Sequence, residues 1–196
     1  MDRETELALV DRLRQGDAGA FDAVYDAFNA RLLTFLVRMV RRRDVAEDLL
    51  EETWLRLVTH ARRLRADTRL GPWLFTVARN LHVSYRRSRL LEDSAATGLI
   101  ALWPFSVERA SPFDTAAASE LEARIERALA AMPAALREAL LLVGVAGLDH
   151  SDAADVCGLT PEALRQRLHR AREWLSIALQ RDKAPALEGL KSCPSR

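Results

Sequence analysis

"HSDAADVCGLTPEALRQRLHRAREWL" (residues 150–175) is the stretch on which the fold turns. Its first part predicts a short helix carrying the small residues Ala153 and Ala154 where two helices come close. Gly158 supplies the turn, because glycine tolerates positive φ. Thr160 fits an N-cap and Pro161 the first helical position. The helix that follows puts Leu164, Leu168, Ala171 and Leu175 on one face. Arg165, His169 and Arg172 fall together on the other, flanked by Gln166 and Arg170. The spacing Ala154, Gly158, Leu164 is that of a DNA-binding helix-turn-helix. A plain amphipathic hairpin with a solvated basic side satisfies the same pattern, so this stretch alone leaves both open. If it binds DNA, the early residues of the second helix enter the major groove. Arginine pairs there with guanine edges, glutamine with adenine, and the remaining arginines with phosphates.

Outward from this hairpin the chain is helical throughout, and no alternating strand pattern competes. A first helix is expected near 3–15, ended by Gly16. A second follows Asp17 and runs to about Val40, with Phe21, Val24, Tyr25, Phe28, Leu32, Phe35 and Leu36 as its apolar stripe. Asp44 with Glu47 three residues later predicts a capped start for a third, to about Leu64. "RADTRLGP" breaks it, and a fourth runs from Pro72 to about Leu90. Residues 91–118 then lose periodicity and are expected to form a linker, with an apolar piece, "GLIALWPF", that either packs on the protein's own surface or docks on a partner. Ser119 and Glu122 form a second capping box, and helices are expected at 120–131, 133–146, 150–157 and 161–180. The tail 181–196 has little pattern. The fold class is therefore all-α: two small helical domains, at 1–90 and 119–180, joined by a flexible linker.

The 196 residues include 29% charged and 49% hydrophobic, enough for a buried core, with a net charge of only +1. That near-neutral sum hides segregation. "DVAEDLLEE" (44–52) holds five acids and no base, whereas "RNLHVSYRRSR" (79–89) holds four arginines and no acid. Such a split suits a molecule with a basic face for one partner and an acidic face for another. The amino terminus "MDRETELALVDRLRQGD" is unlike a secretory signal, and no apolar run approaches the roughly 20 residues of a membrane span. Membrane insertion is not expected. Cys157 and Cys193 lack metal-like spacing, and a cytoplasmic location follows as the default. Cys157 reads as a small core residue.

In the third helix, Ala46, Leu49, Leu50, Trp54 and Leu57 form the expected buried stripe. Asp44, Asp48 and Glu51 share the opposite face, with Glu47 and Glu52 beside them. A charge run of this kind is usually just solvated. Several uncompensated carboxylates also repel one another, which makes a basic protein partner plausible. In "LGPWLFTVARNLHVSYRRSR", Trp73, Leu74 and Val77 are expected in the core, while Asn80, Tyr85, Arg86, Arg87 and Arg89 could line a groove. Aromatics beside cations suit unstacked bases, which need a stacking surface and backbone neutralisation. Solvated arginines at a helix end are the plainer alternative.

Three stretches in order, "DVAEDLLEETWLRL", "GPWLFTVARNLHVSYRRSR" and "LAAMPAALREALLLVGVAGLDHSDAADVCGLTPEALRQRLHRAR", resemble the bacterial sigma factors of the extracytoplasmic-function group, over roughly 5–180. Three motifs in order are far more specific than any one. The resemblance implies sigma domain 2, a linker and sigma domain 4, and a subunit that directs core RNA polymerase to promoter DNA. It implies that Asp48, Glu51 and Glu52 bind the clamp of the largest polymerase subunit. Asn80 would help hold a flipped base of the −10 element, with Tyr85, Arg86, Arg87 and Arg89 at the DNA there. Arg165, Gln166, His169, Arg170 and Arg172 would read the −35 element. An anti-sigma factor is the implied regulator, and no cofactor or metal is implied. The chain departs from the family pattern at Ser84, Glu162, Ala163 and Gln166.

Two other functions compete. A stand-alone helix-turn-helix regulator needs neither the acidic face nor the aromatic-basic helix. An enzyme acting on nucleic acid needs a phosphate loop, a nucleophile constellation or paired metal-binding carboxylates, and none is recognisable.

Overall fold

The computed structural model describes residues 2–96 and 120–181. The apolar piece at 98–105, the capping residue Ser119 and the tail with Cys193 lie outside the described residues.

The first half begins with α1 (Arg3–Arg14) and α2 (Ala18–Val40). Gly16 turns the chain between them at φ +82°. Asp17 then caps α2, its Oδ1 accepting the amides of Gly19 at 2.8 Å and Ala20 at 3.4 Å. The start of α3 (Arg43–His60) differs from the expected capping box. The cap position is Arg42, with no side-chain cap. Asp44 is already inside the first turn, so its carboxylate turns outward to Arg42, and Glu47 pairs with Arg43 at 2.8 Å. A 3₁₀ turn at Ala61–Arg63 closes this segment.

α4 (Leu70–Ala96) starts two residues before the expected Pro72 and ends six after the expected Leu90. At its start the Leu70 amide donates to Glu6 Oε1 at 2.7 Å, satisfying a free first-turn donor. Pro72 sits in that first turn, where a missing N–H does no harm. At its far end neither Gly nor Pro interrupts the sequence before Gly98.

The second half comprises α5 (Glu120–Ala131), α6 (Ala134–Gly144), α7 (His150–Cys157) and α8 (Pro161–Arg181). Gly158 and Thr160 act in its turn as expected, and Asp149 adds a cap beyond those expected from the sequence. Asp149 caps α7 through the Asp152 amide at 2.8 Å, Gly158 ends it at φ +66°, and Thr160 Oγ1 accepts the Ala163 amide at 3.2 Å.

α2 packs against α1, α3 and α4. Its Phe35 meets Phe75 of α4 edge to face, with centroids 5.5 Å apart. Of the residues expected in the core of α4, Leu74 is buried and Trp73 and Val77 are half-buried. Phe75 and Ala78 fill the interior instead. Tyr25 lies at the rim of the α2 stripe, against Trp54 at 5.0 Å, and the Trp54 indole donates to Asn29 at 3.1 Å.

The two halves are docked, and their buried apolar residues form one continuous cluster. α4 packs on α7 and α2 on α6. Gly71 marks the closest approach: a Cβ there would meet both Leu148 and Phe28 at 3.4 Å. Arginines of the first half cross to carboxylates of the second. Arg38 Nε reaches Glu126 at 2.9 Å, Arg79 Nε reaches Glu138 at 2.8 Å, and Arg69 pairs with Asp152 and Asp149. Two more arginines donate to carbonyls, Arg31 to Ala146 and Arg41 to Ala130, both at 3.1 Å. Arg41 does so from a left-handed backbone conformation, φ 65°, at the end of α2.

Candidate nucleic-acid and partner surfaces

Leu164, Leu168 and Ala171 are buried and fix the rotation of α8. That rotation leaves Arg165, Gln166, His169, Arg170 and Arg172 exposed. The first four line one shallow depression of about 490 Å³, and Arg172 stands a turn further on. Arg167 points inward, 4.0 Å from Glu138. Glu162 lies 2.8 Å from Arg165 and holds that guanidinium against the helix surface. The basic side of α8 is thus a coherent surface of donors, with one arginine reined in by a carboxylate.

On α4 the five expected groove residues do not form one surface. At about 100° per residue, Asn80 and Arg87 fall on one side and Tyr85, Arg86 and Arg89 near the other. Asn80 and Arg87 are exposed, with Val83 between them. Tyr85 and Arg86, with His82, line a cavity of about 240 Å³ closed by Arg41 and Arg137.

His82 is only 3% exposed and its Nδ1 has no partner among the described residues. Burial pushes its imidazole down to about 4, helped by the positive charges of Arg86, Arg137 and Arg79. The signal for its burial was present in the sequence, since it lies seven residues beyond Phe75 on the same helix side.

This histidine gives the fold an acid sensitivity of known sign. As pH falls below the usual histidine value of 6.5, the unfolded imidazole takes a proton that the folded one refuses until about 4. The unfolded state then binds more protons, so stability declines across that window and levels off below it. Urea titrations at neutral and acid pH are expected to show His82→Asn losing roughly 2–3 kcal/mol less than the wild type over the window. An identical loss in both proteins would remove His82 as the source.

The acidic run on α3 is largely neutralised by its neighbours. Asp44 pairs with Arg42, Glu47 with Arg43, and Glu52 with Arg56 at 2.9 Å. Asp48 and Glu51 are exposed, and no hydrogen bond or ion pair engages them among the described residues. Leu55 and Val58, 55% and 57% exposed, continue the same stripe at helical spacing. Sequence reasoning missed these two. Two unpaired acids followed by two bare apolar side chains suit a protein partner better than water alone.

Among the described residues no group of three or more His, Cys, Asp or Glu could hold a metal ion, and no helix is long and apolar enough to cross a membrane. Burial and the Glu138 carboxylate push the Cys157 thiol up to about 11, in keeping with an inert core residue.

Comparison with known proteins identifies both halves. The family model for sigma-70 region 2 matches residues 24–91, and that for sigma-70 region 4 matches 122–175. The chain is 36% identical to the ECF RNA polymerase sigma factor EcfG of Rhodopseudomonas palustris, over 78% of this chain and 81% of the relative. It is 30% identical to the RNA polymerase sigma-H factor of Pseudomonas aeruginosa, over 91% and 95%. Among solved structures it is similar to the sigma factor RpoE of Bartonella quintana, solved in complex with the anti-sigma factor NepR. That match has 28% identity and a TM-score of 0.64, covering 82% of this chain and 94% of that one.

Proposed function

Because the chain belongs to the extracytoplasmic-function sigma factors of bacterial RNA polymerase, we propose a division of its surfaces among polymerase, the −10 element and the −35 element. The chain is an RNA polymerase sigma factor that directs core polymerase to promoters. Residues 1–90 act as the polymerase-binding and −10 unit, 91–118 as the linker and 119–180 as the −35 unit, with 181–196 as a tail. Asp48 and Glu51, backed by Glu52, meet the clamp of the largest polymerase subunit, with Leu55 and Val58 completing the contact. Asn80 and Arg87 face the −10 strand on the open side of α4. Holding a flipped base offsets an unstacking cost of a few kcal/mol. Tyr85, Arg86 and Arg89 join them on the DNA once the two halves part. Arg165, Gln166, His169 and Arg170 read the −35 duplex in the major groove, and Arg172 takes a phosphate. The chain works in the cytoplasm, does not insert in a membrane, and supplies binding rather than catalysis. The complex of RpoE with an anti-sigma factor supports a regulator of the same kind here.

The observation that carries this reading is the coexistence on one chain of an exposed basic recognition helix and an unpaired acidic-apolar stripe on the other half. Transcription from a promoter library by core polymerase, with and without the protein, tests it. Specific transcripts that depend on the protein are expected. Tight duplex binding by the protein alone, with no dependent transcript, would return the stand-alone regulator.

The recognition helix has its own test. Arg165→Ala is expected to weaken binding to the preferred −35 sequence by roughly 1–3 kcal/mol, the range of a bidentate base contact. Glu162→Ala, by freeing Arg165, is expected to tighten it. Band-shift titrations on matched and scrambled duplexes separate the outcomes, because equal losses on both would make Arg165 a phosphate contact.

A further inference from the structure

We propose that the cavity at the seam between the two halves is a binding site for a phosphate-type oxyanion. Its cationic lining comes from three helices, Arg41 at the end of α2, Arg86 on α4 and Arg137 on α6, with the neutral His82 of α4 beside them. The other arginines that cross the seam to side chains, Arg38, Arg69 and Arg79, each meet a carboxylate. No carboxylate among the described residues pairs with Arg41, Arg86 or Arg137, so three guanidiniums gather around one hollow without a counter-charge.

Two of them are held in place beforehand. Arg41 and Arg137 donate to the Ala130 carbonyl, and Arg137 also to that of Leu129, at the C-terminal end of α5. This anchoring does not engage every polar atom of the lining. Arg137 Nε and His82 Nδ1 are buried and have no partner among the described residues, in residues 7% and 3% exposed. Unpartnered polar atoms at such depth are rare and costly, and a ligand is one of the few things that accounts for them. Tyr85 also lines the cavity.

Chemistry and size narrow the ligand. Gathered guanidiniums favour a doubly charged tetrahedral oxyanion, with acceptors in several directions, over a single carboxylate. The cavity, about 240 Å³, lies below the roughly 300–1,000 Å³ of pockets for drug-sized ligands yet exceeds several water volumes. It therefore suits inorganic phosphate or a small phosphate monoester, not a nucleotide. A phosphate here would tie α2 and α4 to α6 and so hold the halves together. It would also occupy Tyr85 and Arg86, and to that extent it would compete with −10 DNA. This last consequence rests on the proposed function, whereas the binding itself does not.

The test is a calorimetric titration of the full chain with inorganic phosphate, against chloride at matched ionic strength, and a parallel titration with glycerol 3-phosphate. Saturable one-to-one binding is expected. Arg86→Gln, at an exposed position that tolerates change, is expected to weaken it by about tenfold or more, as loss of a charge-assisted hydrogen bond does. His82→Asn should weaken it as well, and Arg62→Gln, a charge-matched change elsewhere on the surface, should not. Tighter binding of the monoester would identify a small phosphorylated compound as the source, and equal or weaker binding would identify free phosphate. Absence of saturable binding, or equal losses in Arg86→Gln and Arg62→Gln, overturns the site. Neither readout involves polymerase, so failure here is distinguishable from failure of the sigma-factor assignment of surfaces.

Discussion

Asp48→Lys combined with Glu51→Lys is expected to abolish association with core RNA polymerase while the protein remains folded. Both carboxylates are exposed and unpaired among the described residues, so the fold loses no contact when they go. The new lysines would lie within a helical turn of Asp44, Glu47 and Glu52, which favours the helix. At the proposed interface the same change removes two attractions to a basic surface and adds two repulsions. Like charges brought together across an interface cost several kcal/mol, and each 1.4 kcal/mol is about tenfold in affinity. A loss of roughly a hundredfold or more should follow. Circular dichroism would report the fold, and a pull-down with core enzyme the binding. Glu52→Ala should do much less, because Glu52 is already engaged with Arg56. Undiminished pull-down by the double variant would remove the acidic stripe from the polymerase interface.

Glu138→Ala is expected to be the most damaging substitution among the charged residues that join the two halves. The carboxylate is 9% exposed, 2.8 Å from Arg79 and 4.0 Å from Arg167, and the Cys157 thiol donates to it at 3.9 Å. Truncation would strand two three-quarters-buried guanidiniums without a counter-charge. Breaking a buried pair in this way costs about 3–5 kcal/mol. Part of that cost is the penalty on the stranded arginine rather than the worth of the pair. Glu138→Ala with Arg79→Met should therefore recover some of it, and a double-mutant cycle by urea denaturation measures how much. A loss below about 1 kcal/mol, the range of a surface pair, would mean that water reaches this junction.

What the sequence disclosed and what it withheld follow from the range of each signal. The α7–α8 turn was legible because Gly158, Thr160 and Pro161 each act on backbone within a few residues of themselves. The two halves of the all-α fold followed from apolar periodicity in the same way. The seam was not legible. Arg38, Arg69 and Arg79 meet carboxylates 88, 83 and 59 residues away. Nothing local separates such an arginine from a solvated one.

Two features of these surfaces were legible from helical spacing. Arg43 with Glu47 and Glu52 with Arg56 stand four residues apart, the spacing of a helical ion pair, so the acidic run was never as bare as its composition suggested. Helical phase likewise separates Asn80 and Arg87 from Tyr85 and Arg86. Residue type had grouped what rotation divides.

The fused core also has a meaning for the lifetime of the protein. Because apolar residues of both halves make one cluster, heat or denaturant acts on them as a single cooperative unit while they remain docked. If the halves part to meet a promoter, as in the proposed function, that shared cooperativity would be exchanged for two smaller units, each burying a smaller fraction of its surface. A sigma factor bound to polymerase and DNA is compensated by its partners. One released in the open form is not, and its local unfolding exposes backbone to proteases until the halves close again. On the proposed function, docking would work as a clock on the free subunit, short when open and long when shut.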